Sequence, residues 1–138
     1  LTPSTSILAG LVVFESELSG ELVDAGLVGT HDIGVSRQVV NATVVRKFGP
    51  DWSLDATLSY MGERWADTAN TIKAPAVTTL SMGLRHRFRL GGHPADLRIL
   101  GSNLLGEEGY LVASSGLLSS VPPRTLRAVL TVAFGASD

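Results

Sequence analysis

Hydrophobic and polar residues alternate along several stretches of this chain. At positions 52–60 every even-numbered residue is apolar or aromatic, and the odd-numbered residues are serine, threonine or aspartate. Positions 76–90 and 124–134 repeat this period of two, and positions 4–17, 35–48 and 95–103 follow it less strictly. Because successive side chains of a β-strand point to opposite faces, the pattern predicts six strands with one apolar face each.

The segments between these predicted strands alternate strictly between long and short. The segments around Gly49–Pro50 and Gly91–Gly92 are tight turns, whereas positions 16–34, 62–75 and 106–122 form long connections. Bacterial outer-membrane barrels have short periplasmic turns, long extracellular loops and strands of about 9–11 residues. The pattern therefore predicts an all-β fold, an antiparallel up-and-down meander of about six long strands that forms a sector of a transmembrane β-barrel.

Apolar pairing across the two tight turns predicts the strand register. A three-residue turn at positions 49–51 places Phe48 opposite Trp52, so that apolar side chains meet along the pair. For the second turn two alternatives remain. A turn at Gly92–His93 sets Arg89 opposite Asp96, and a turn at Gly91–Gly92 sets Arg87 opposite Asp96.

Composition excludes several kinds of function. The chain has 138 residues, a formal net charge of −2 and no cysteine, so it has no disulfide, thiolate metal site or cysteine nucleophile. Its charges show no basic cluster typical of nucleic-acid binding, and no apolar run reaches the roughly 18 residues of a membrane helix. The three histidines lack metal-ligand spacing. We therefore expect no enzymatic activity, no metal and no cofactor.

The two faces of the predicted sheet carry different candidate residues. Trp52 and Tyr60 bracket an apolar run and, with Phe134, are predicted to anchor the sheet at the membrane interface. Arg46 is the exception on the apolar face, where an arginine costs about 2–4 kcal/mol at mid-membrane but about 0–1 near the interface. Since Arg46 lies two residues from a turn, we expect its side chain to reach the interface.

The polar face carries a row of charges. The residues predicted to form a charge network in a barrel lumen are Arg85, Arg87, Arg89, Arg98, Asp55 and Asp96, with Asp51 and Arg127 nearby on the same face. A structural network of ion pairs that also holds a plug is the favoured interpretation, and direct guidance of an anionic ferric chelate is the alternative.

Several motifs, taken in order, resemble the C-terminal part of TonB-dependent outer-membrane receptors, especially siderophore receptors. They cover about positions 30–134 and comprise GERWADTANT at 62–71 followed by Ala74–Pro75, RHRF at 85–88, NLLG at 103–106 with Tyr110 after it, and PRT at 123–125 before Phe134. Leu105 and Gly106 depart from the aromatic and acidic residues that are more usual there, and positions 135–138 extend beyond the aromatic that normally ends the chain.

This resemblance implies a barrel of about 22 strands with an N-terminal plug, of which residues 1–138 would be the C-terminal segment, without the plug and most barrel strands. It implies import of a ferric siderophore or similar large nutrient across the bacterial outer membrane. The implied partners are that ligand, outer-membrane lipid and the inner-membrane TonB energy-coupling complex, reached through the missing plug. Ligand contact is expected at the extracellular loops, from Arg64, Trp65 and Tyr110. A soluble β-sandwich or lipocalin-like binding module with no transport role is the alternative.

Overall fold

The structure, a computed structural model, describes residues 4–134. In chain order its elements are β1 (Thr5–Val13), α1 (Glu21–Asp24), β2 (Gln38–Phe48), β3 (Trp52–Met61), β4 (Arg64–Trp65), β5 (Lys73–Ala74), β6 (Val77–Leu90), β7 (His93–Ser102), β8 (Tyr110–Val112), β9 (Leu118–Ser120) and β10 (Thr125–Val132). The six long strands form one antiparallel sheet in the order β1-β2-β3-β6-β7-β10. The predicted all-β meander of six long strands is confirmed.

The sequence pattern did not predict the small elements inside the long connections. β4 pairs with β5 and β8 pairs with β9, so two of the long connections contain a short hairpin of their own. Strands of two or three residues are too short to show a period, which explains why the alternation missed them. The helix α1 is a single turn of four residues. Within residues 4–134 no helix is long and apolar enough to traverse a bilayer.

The first tight turn has the geometry that apolar pairing predicts, and the second has one of the two predicted geometries. Phe48 is paired with Trp52 and Val44 with Ala56, which confirms the three-residue turn at positions 49–51. In the second hairpin Leu90 is paired with His93, so Gly91 and Gly92 form a two-residue turn, the second of the two predicted alternatives. Both glycines have positive φ, 57° and 86°, as hairpin turns of this length require.

The register brings the apolar positions of all six strands onto one face. Along the middle of the sheet this face presents Ala9, Ala42, Val44, Ala56, Leu58, Leu80, Met82, Leu84, Leu97, Ile99, Ala128 and Leu130. None of these residues is buried. Half of them are exposed, with Val44 at 39 %, Leu58 at 41 % and Leu130 at 54 %, and the other half are part-exposed. The buried apolar residues are instead few and small, and four of the five, Ala74, Val77, Val112 and Val121, lie off this face. The described sheet therefore leaves its apolar face without a covering layer, and β1 and β10 are its edges.

Aromatic rings cluster on the same face at the end where the tight turns lie. The ring of Trp52 stacks on that of His86 with centroids 3.9 Å apart, and His86 stacks on Phe88 at 5.3 Å. Phe134 packs against His93 nearby, at 5.0 Å. Tyr60 lies at the opposite end of β3, toward the long connections. The three predicted anchors thus occupy the two ends of the apolar face, and their contact with a membrane interface stays a prediction.

Candidate functional site

The three long connections pack against one another at one end of the sheet. We call them loop 1 (14–37), loop 2 (62–76) and loop 3 (103–124). Backbone hydrogen bonds join loop 1 to loop 2, with the N–H of Gly29 donating to the carbonyl of Thr68 at 2.7 Å and that of Gly34 to Trp65 at 2.9 Å. Gly34 also lies so close to the backbone of Ala113 that a β-carbon there would come within 2.7 Å of it. Loop 1 therefore contacts both of the other loops.

Asn70 fastens loop 2 to loop 1 with both ends of its amide. Its Nδ2 donates to the carbonyl of His31 at 3.0 Å, and its Oδ1 accepts from the His31 N–H at 2.8 Å. The residue has a φ of 55°, a left-handed conformation that asparagine tolerates better than most residues. Its side chain thus replaces a pair of backbone hydrogen bonds between the two loops.

Asp67 shapes the turn that presents Asn70. Its carboxylate accepts hydrogen bonds from the N–H of Ile72 at 2.7 Å and from the N–H and hydroxyl of Thr71 at 2.9 Å and 2.7 Å. The bond from Ile72 is the main reason that the pKa of Asp67 lies below its usual 3.8. Slight desolvation opposes it, and the hydroxyl and N–H of Thr71 add to the lowering. The ionised carboxylate is therefore part of the folded turn.

Arg64 joins loop 2 to loop 3 and is almost completely buried, at 2 % exposure. Its Nη1 donates to the carbonyl of Gly62 at 3.3 Å and its Nη2 to the carbonyl of Tyr110, while its Nε has no partner among the described residues. Burial lowers the pKa of the guanidinium because it desolvates the charged form. The structure thus joins two of the three residues predicted to contact a ligand, because Arg64 binds the backbone carbonyl of Tyr110. Ligand contact by Arg64 stays untested, and its burial favours a role in holding the loops.

Trp65 forms one wall of a cleft of about 340 Å³ between loops 1 and 2. The ammonium of Lys73 lies over its ring, 4.8 Å from the centroid, and the same ammonium is 3.4 Å from a carboxylate oxygen of Glu63. The remaining lining residues include Phe14, His31, Asp32, Val35 and Arg37. This cleft combines an aromatic face with charges of both signs, a composition suited to a polar ligand that carries a flat group.

Tyr110 lies on a second cleft, of about 730 Å³, which is lined by residues of loop 3. Its side chain is 59 % exposed. Glu107, Glu108 and Arg124 line the same cleft. Trp65 and Tyr110 therefore line two different clefts. Arg64 lines the cleft of Trp65 and donates to the backbone carbonyl of Tyr110, so it connects the two.

Asn103 is the residue that organises loop 3, and the sequence reasoning included it only as part of a resemblance. It is 5 % exposed and has a φ of 48°. Its Nδ2 donates to the carbonyls of Glu107 at 2.8 Å and Pro122 at 2.9 Å, and its Oδ1 accepts from the Glu107 N–H at 2.9 Å. The sequence does contain a pattern that indicates this role: an asparagine directly after a strand and three residues before a glycine, which is typical of a turn capped by a side chain.

The charged row on the polar face forms two small networks. Asp96 accepts from Arg85 Nε at 2.5 Å and lies 3.9 Å from Arg87 Nε, and Arg98 lies 3.6 Å from Asp55. These side chains are partly exposed, so each pair contributes about 0–1 kcal/mol. The other predicted members, Arg89, Arg127 and Asp51, make no ion pair within residues 4–134. That this face lines a lumen stays a prediction.

The Asp55–Arg98 pair spans a whole strand. Asp55 belongs to β3 and Arg98 to β7, and β6 runs between them with Gly83 opposite Asp55. A β-carbon at Gly83 would lie 2.6 Å from the Asp55 carboxylate, so the absence of a side chain there lets the carboxylate extend across β6. The pair therefore joins non-adjacent strands.

The described part of the chain holds no group of three or more histidine, cysteine, aspartate or glutamate residues placed to bind a metal ion. The three histidines lie apart, with His31 in loop 1, His86 in the aromatic stack and His93 at the start of β7.

Comparison with known proteins gives a likeness in fold but none in sequence. The sequence matches no protein-family model and no curated protein. The fold is similar to the crystal structure of BauA, the ferric preacinetobactin receptor from Acinetobacter baumannii, with a TM-score of 0.79 and 16 % sequence identity. The match covers 95 % of this chain and 20 % of that one, so the chain spans about a fifth of the receptor's length. At this identity the likeness shows that the chain has the fold of a segment of that receptor.

Proposed function

We propose that this chain is the C-terminal, six-stranded segment of the barrel of a TonB-dependent outer-membrane receptor that imports a ferric siderophore or a similar large nutrient. The observation that carries the proposal is the match of nearly the whole chain, at a TM-score of 0.79, to a segment of a protein described as a ferric siderophore receptor. The motif order in the sequence supports the same family independently of the fold.

The distribution of apolar side chains supports a membrane setting for this sheet. The apolar face extends across all six strands with Arg46 as its one charged strand residue among those described, and its side chains are exposed or part-exposed. A continuous exposed apolar face of this kind requires hydrocarbon or a protein partner to cover it. In a barrel wall lipid covers that face, whereas the charged face meets water in the lumen.

The alternative is a soluble β-sandwich or lipocalin-like binding module. That fold would bury the apolar face against a second layer or inside a closed cavity. No observation on the described residues favours this alternative over the receptor segment.

In this proposal the chain performs no covalent chemistry. Loops 1–3 lie on the extracellular side and contribute to the first binding of the ligand, and the side chains that meet it are Trp65, Lys73 and Tyr110. Arg64 and Asn70 hold the loops in place before the ligand arrives, which reduces the entropy lost on binding. Transport then follows from movement of the plug, driven from the inner membrane.

Binding of radioiron-labelled ferric preacinetobactin and of a ferric trihydroxamate to outer membranes that contain the protein tests this proposal. We expect saturable binding of a ferric chelate, weakened about 5- to 30-fold by Trp65→Ala or Tyr110→Ala, because aromatic contacts of this kind are worth about 1–2 kcal/mol. Leu117→Ala is the matched control, since Leu117 is an exposed apolar residue of loop 3 outside both clefts. Equal binding by membranes with and without the protein would contradict the proposal.

A further inference from the structure

Arg46 is an isolated charge on the apolar face of the sheet. Among the strand residues that the structure describes, no other lysine or arginine and no aspartate or glutamate has a register position on that face. Its neighbours across the sheet are Thr5 on one side and Leu54, followed by Leu84, on the other. A full positive charge therefore lies within the surface that would meet lipid.

The side chain of Arg46 extends toward the tight-turn end of the sheet. Its Cζ lies 5.3 Å from the ring centroid of Phe48, the residue two positions nearer the turn on the same face. Phe48 is paired with Trp52, and Trp52 with His86, so the guanidinium approaches the row of stacked rings Trp52, His86 and Phe88. This direction is the one that a long cationic side chain takes to reach the polar edge of a bilayer.

Within the described residues no carboxylate forms an ion pair with Arg46. A guanidinium offers five N–H donors in a planar arrangement that matches a phosphate group, and the aromatic ring beneath it leaves its edge free to donate. At the level of an aromatic row, the anion that a bilayer supplies is the phosphate of a lipid headgroup.

We propose that Arg46, with the ring of Phe48 and the neighbouring row of Trp52, His86 and Phe88, forms a binding site for the phosphate of a phospholipid headgroup. This proposal rests on the proposed function, because it requires the apolar face to meet lipid. The site lies at the tight-turn end, which in an outer-membrane barrel faces the periplasm and hence the phospholipid leaflet. The arginine binds the phosphate, and the aromatic rings pack against the glycerol and upper acyl chains.

Native mass spectrometry of the protein extracted from outer membranes in mild detergent tests the site. The control variant is Lys47→Gln, which removes the same charge one residue along the strand but on the opposite face. We expect Arg46→Gln to lower the phospholipid retained per protein about fivefold relative to the wild type, Lys47→Gln to leave it unchanged, and Arg46→Lys to retain most of it. Equal retention by Arg46→Gln and the wild type, an equal loss in Lys47→Gln, or retention of lipopolysaccharide in place of phospholipid would each overturn the proposal.

A second measurement separates failure of this site from failure of the proposed function and does not depend on Arg46 variants. In a Trp65→Phe background, Trp52 is the sole tryptophan. We expect phospholipids brominated near the headgroup to quench its fluorescence more strongly than phospholipids brominated at the acyl-chain ends. Quenching by neither lipid would contradict the membrane setting itself. Quenching near the headgroup together with unchanged phospholipid retention in Arg46→Gln would contradict only the phosphate site.

Discussion

Single polar side chains, two of them buried and one half-buried, hold the loop end of this molecule together. Arg64, Asn70 and Asn103 each bind backbone groups from segments that are distant in sequence. Such contacts add to a small apolar core, to which the loops contribute Ala74, Val112 and Val121. Their backbone partners would be left without a hydrogen bond if the side chain were removed. The loop end should therefore respond to polar substitutions as strongly as a typical core responds to apolar ones.

Asn103→Ala should destabilise loop 3 by about 2–3 kcal/mol, because it removes three hydrogen bonds at a buried position and leaves their backbone partners unpaired. The rate of proteolytic cleavage within residues 103–124 measures this loss. Asn41→Ala is the control, since Asn41 is exposed on the polar face of β2. Equal cleavage rates for the two variants would show that Asn103 does not organise the loop.

The turn at positions 67–72 should loosen in acid. The folded turn lowers the pKa of Asp67, so ionisation of this carboxylate stabilises the turn. The stabilisation is fully present at a pH above 3.8, the usual pKa of the group. It is lost as the pH falls from 3.8 through the lowered pKa. Amide protection factors of Thr71 and Ile72, measured by hydrogen exchange between about pH 5 and 2, should fall over this range. In Asp67→Asn the protection should be weaker and should not change with pH. If Asp67→Asn kept the pH dependence of the wild type, a group other than Asp67 would be responsible for the loss of protection in acid.

At this scale the sequence was informative for exposed residues and less so for buried polar ones. The three residues predicted to contact a ligand, Arg64, Trp65 and Tyr110, all line clefts, and their contact with a ligand stays a prediction. Arg64 was selected for its charge, yet its burial depends on three loops folding onto it, which no local pattern reveals. Asn103 stood in a motif, but its hydrogen bonds to Glu107 and Pro122 are visible only once loop 3 is closed.

At the scale of elements, the long strands and the first turn followed from local chemistry. Period-two alternation fixes which side chains share a face, and apolar pairing then fixes the register, as the Phe48–Trp52 pair shows. For the second turn, pairing left two registers open, and the structure has the two-residue turn of Gly91 and Gly92, both at positive φ. The hairpins β4–β5 and β8–β9 could not be predicted, because strands of two or three residues are too short to show a period of two.

Gly83→Ala tests whether the ion pair between Asp55 and Arg98 requires a glycine in β6, the strand that runs between them. The new methyl group would displace the Asp55 carboxylate from Arg98, and we expect a loss of about 1 kcal/mol in the free energy of unfolding. The measurement is urea titration in detergent micelles, followed by tryptophan fluorescence. Arg98→Gln should cost a similar amount alone and almost nothing further in the Gly83→Ala background.

Gly10→Ala is the matched control for this cycle, because a β-carbon at Gly10 in β1 would meet nothing within 4 Å. We expect it to leave the free energy of unfolding unchanged or slightly higher. Strict additivity of Gly83→Ala and Arg98→Gln would show that the glycine does not serve the ion pair.

At the scale of the whole molecule, the central feature is a sheet with two unlike faces and two open edges. One face is apolar across six strands, and the other carries the ion pairs of Asp55 and Asp96. The similarity of this sheet to a fifth of a siderophore receptor accounts for the open edges, because in a barrel β1 and β10 would each pair with a further strand. The two faces were predictable from the sequence, because they follow from the alternation of apolar and polar residues along each strand. The packing of the loops was not, because it depends on contacts between segments that are distant in sequence.

The central claim is that lipid covers the apolar face while water reaches the charged one. The chain has no cysteine, so single cysteines placed one at a time at positions 53–59 of β3 report on both faces without interference. With the protein in outer membranes and a water-soluble maleimide, we predict labelling at Ser53, Asp55, Thr57 and Ser59 and protection at Leu54, Ala56 and Leu58. A spin label at the protected positions should be more accessible to oxygen than to a polar nickel chelate. Labelling without this period of two, or protection of the odd-numbered positions in place of the even ones, would contradict the account.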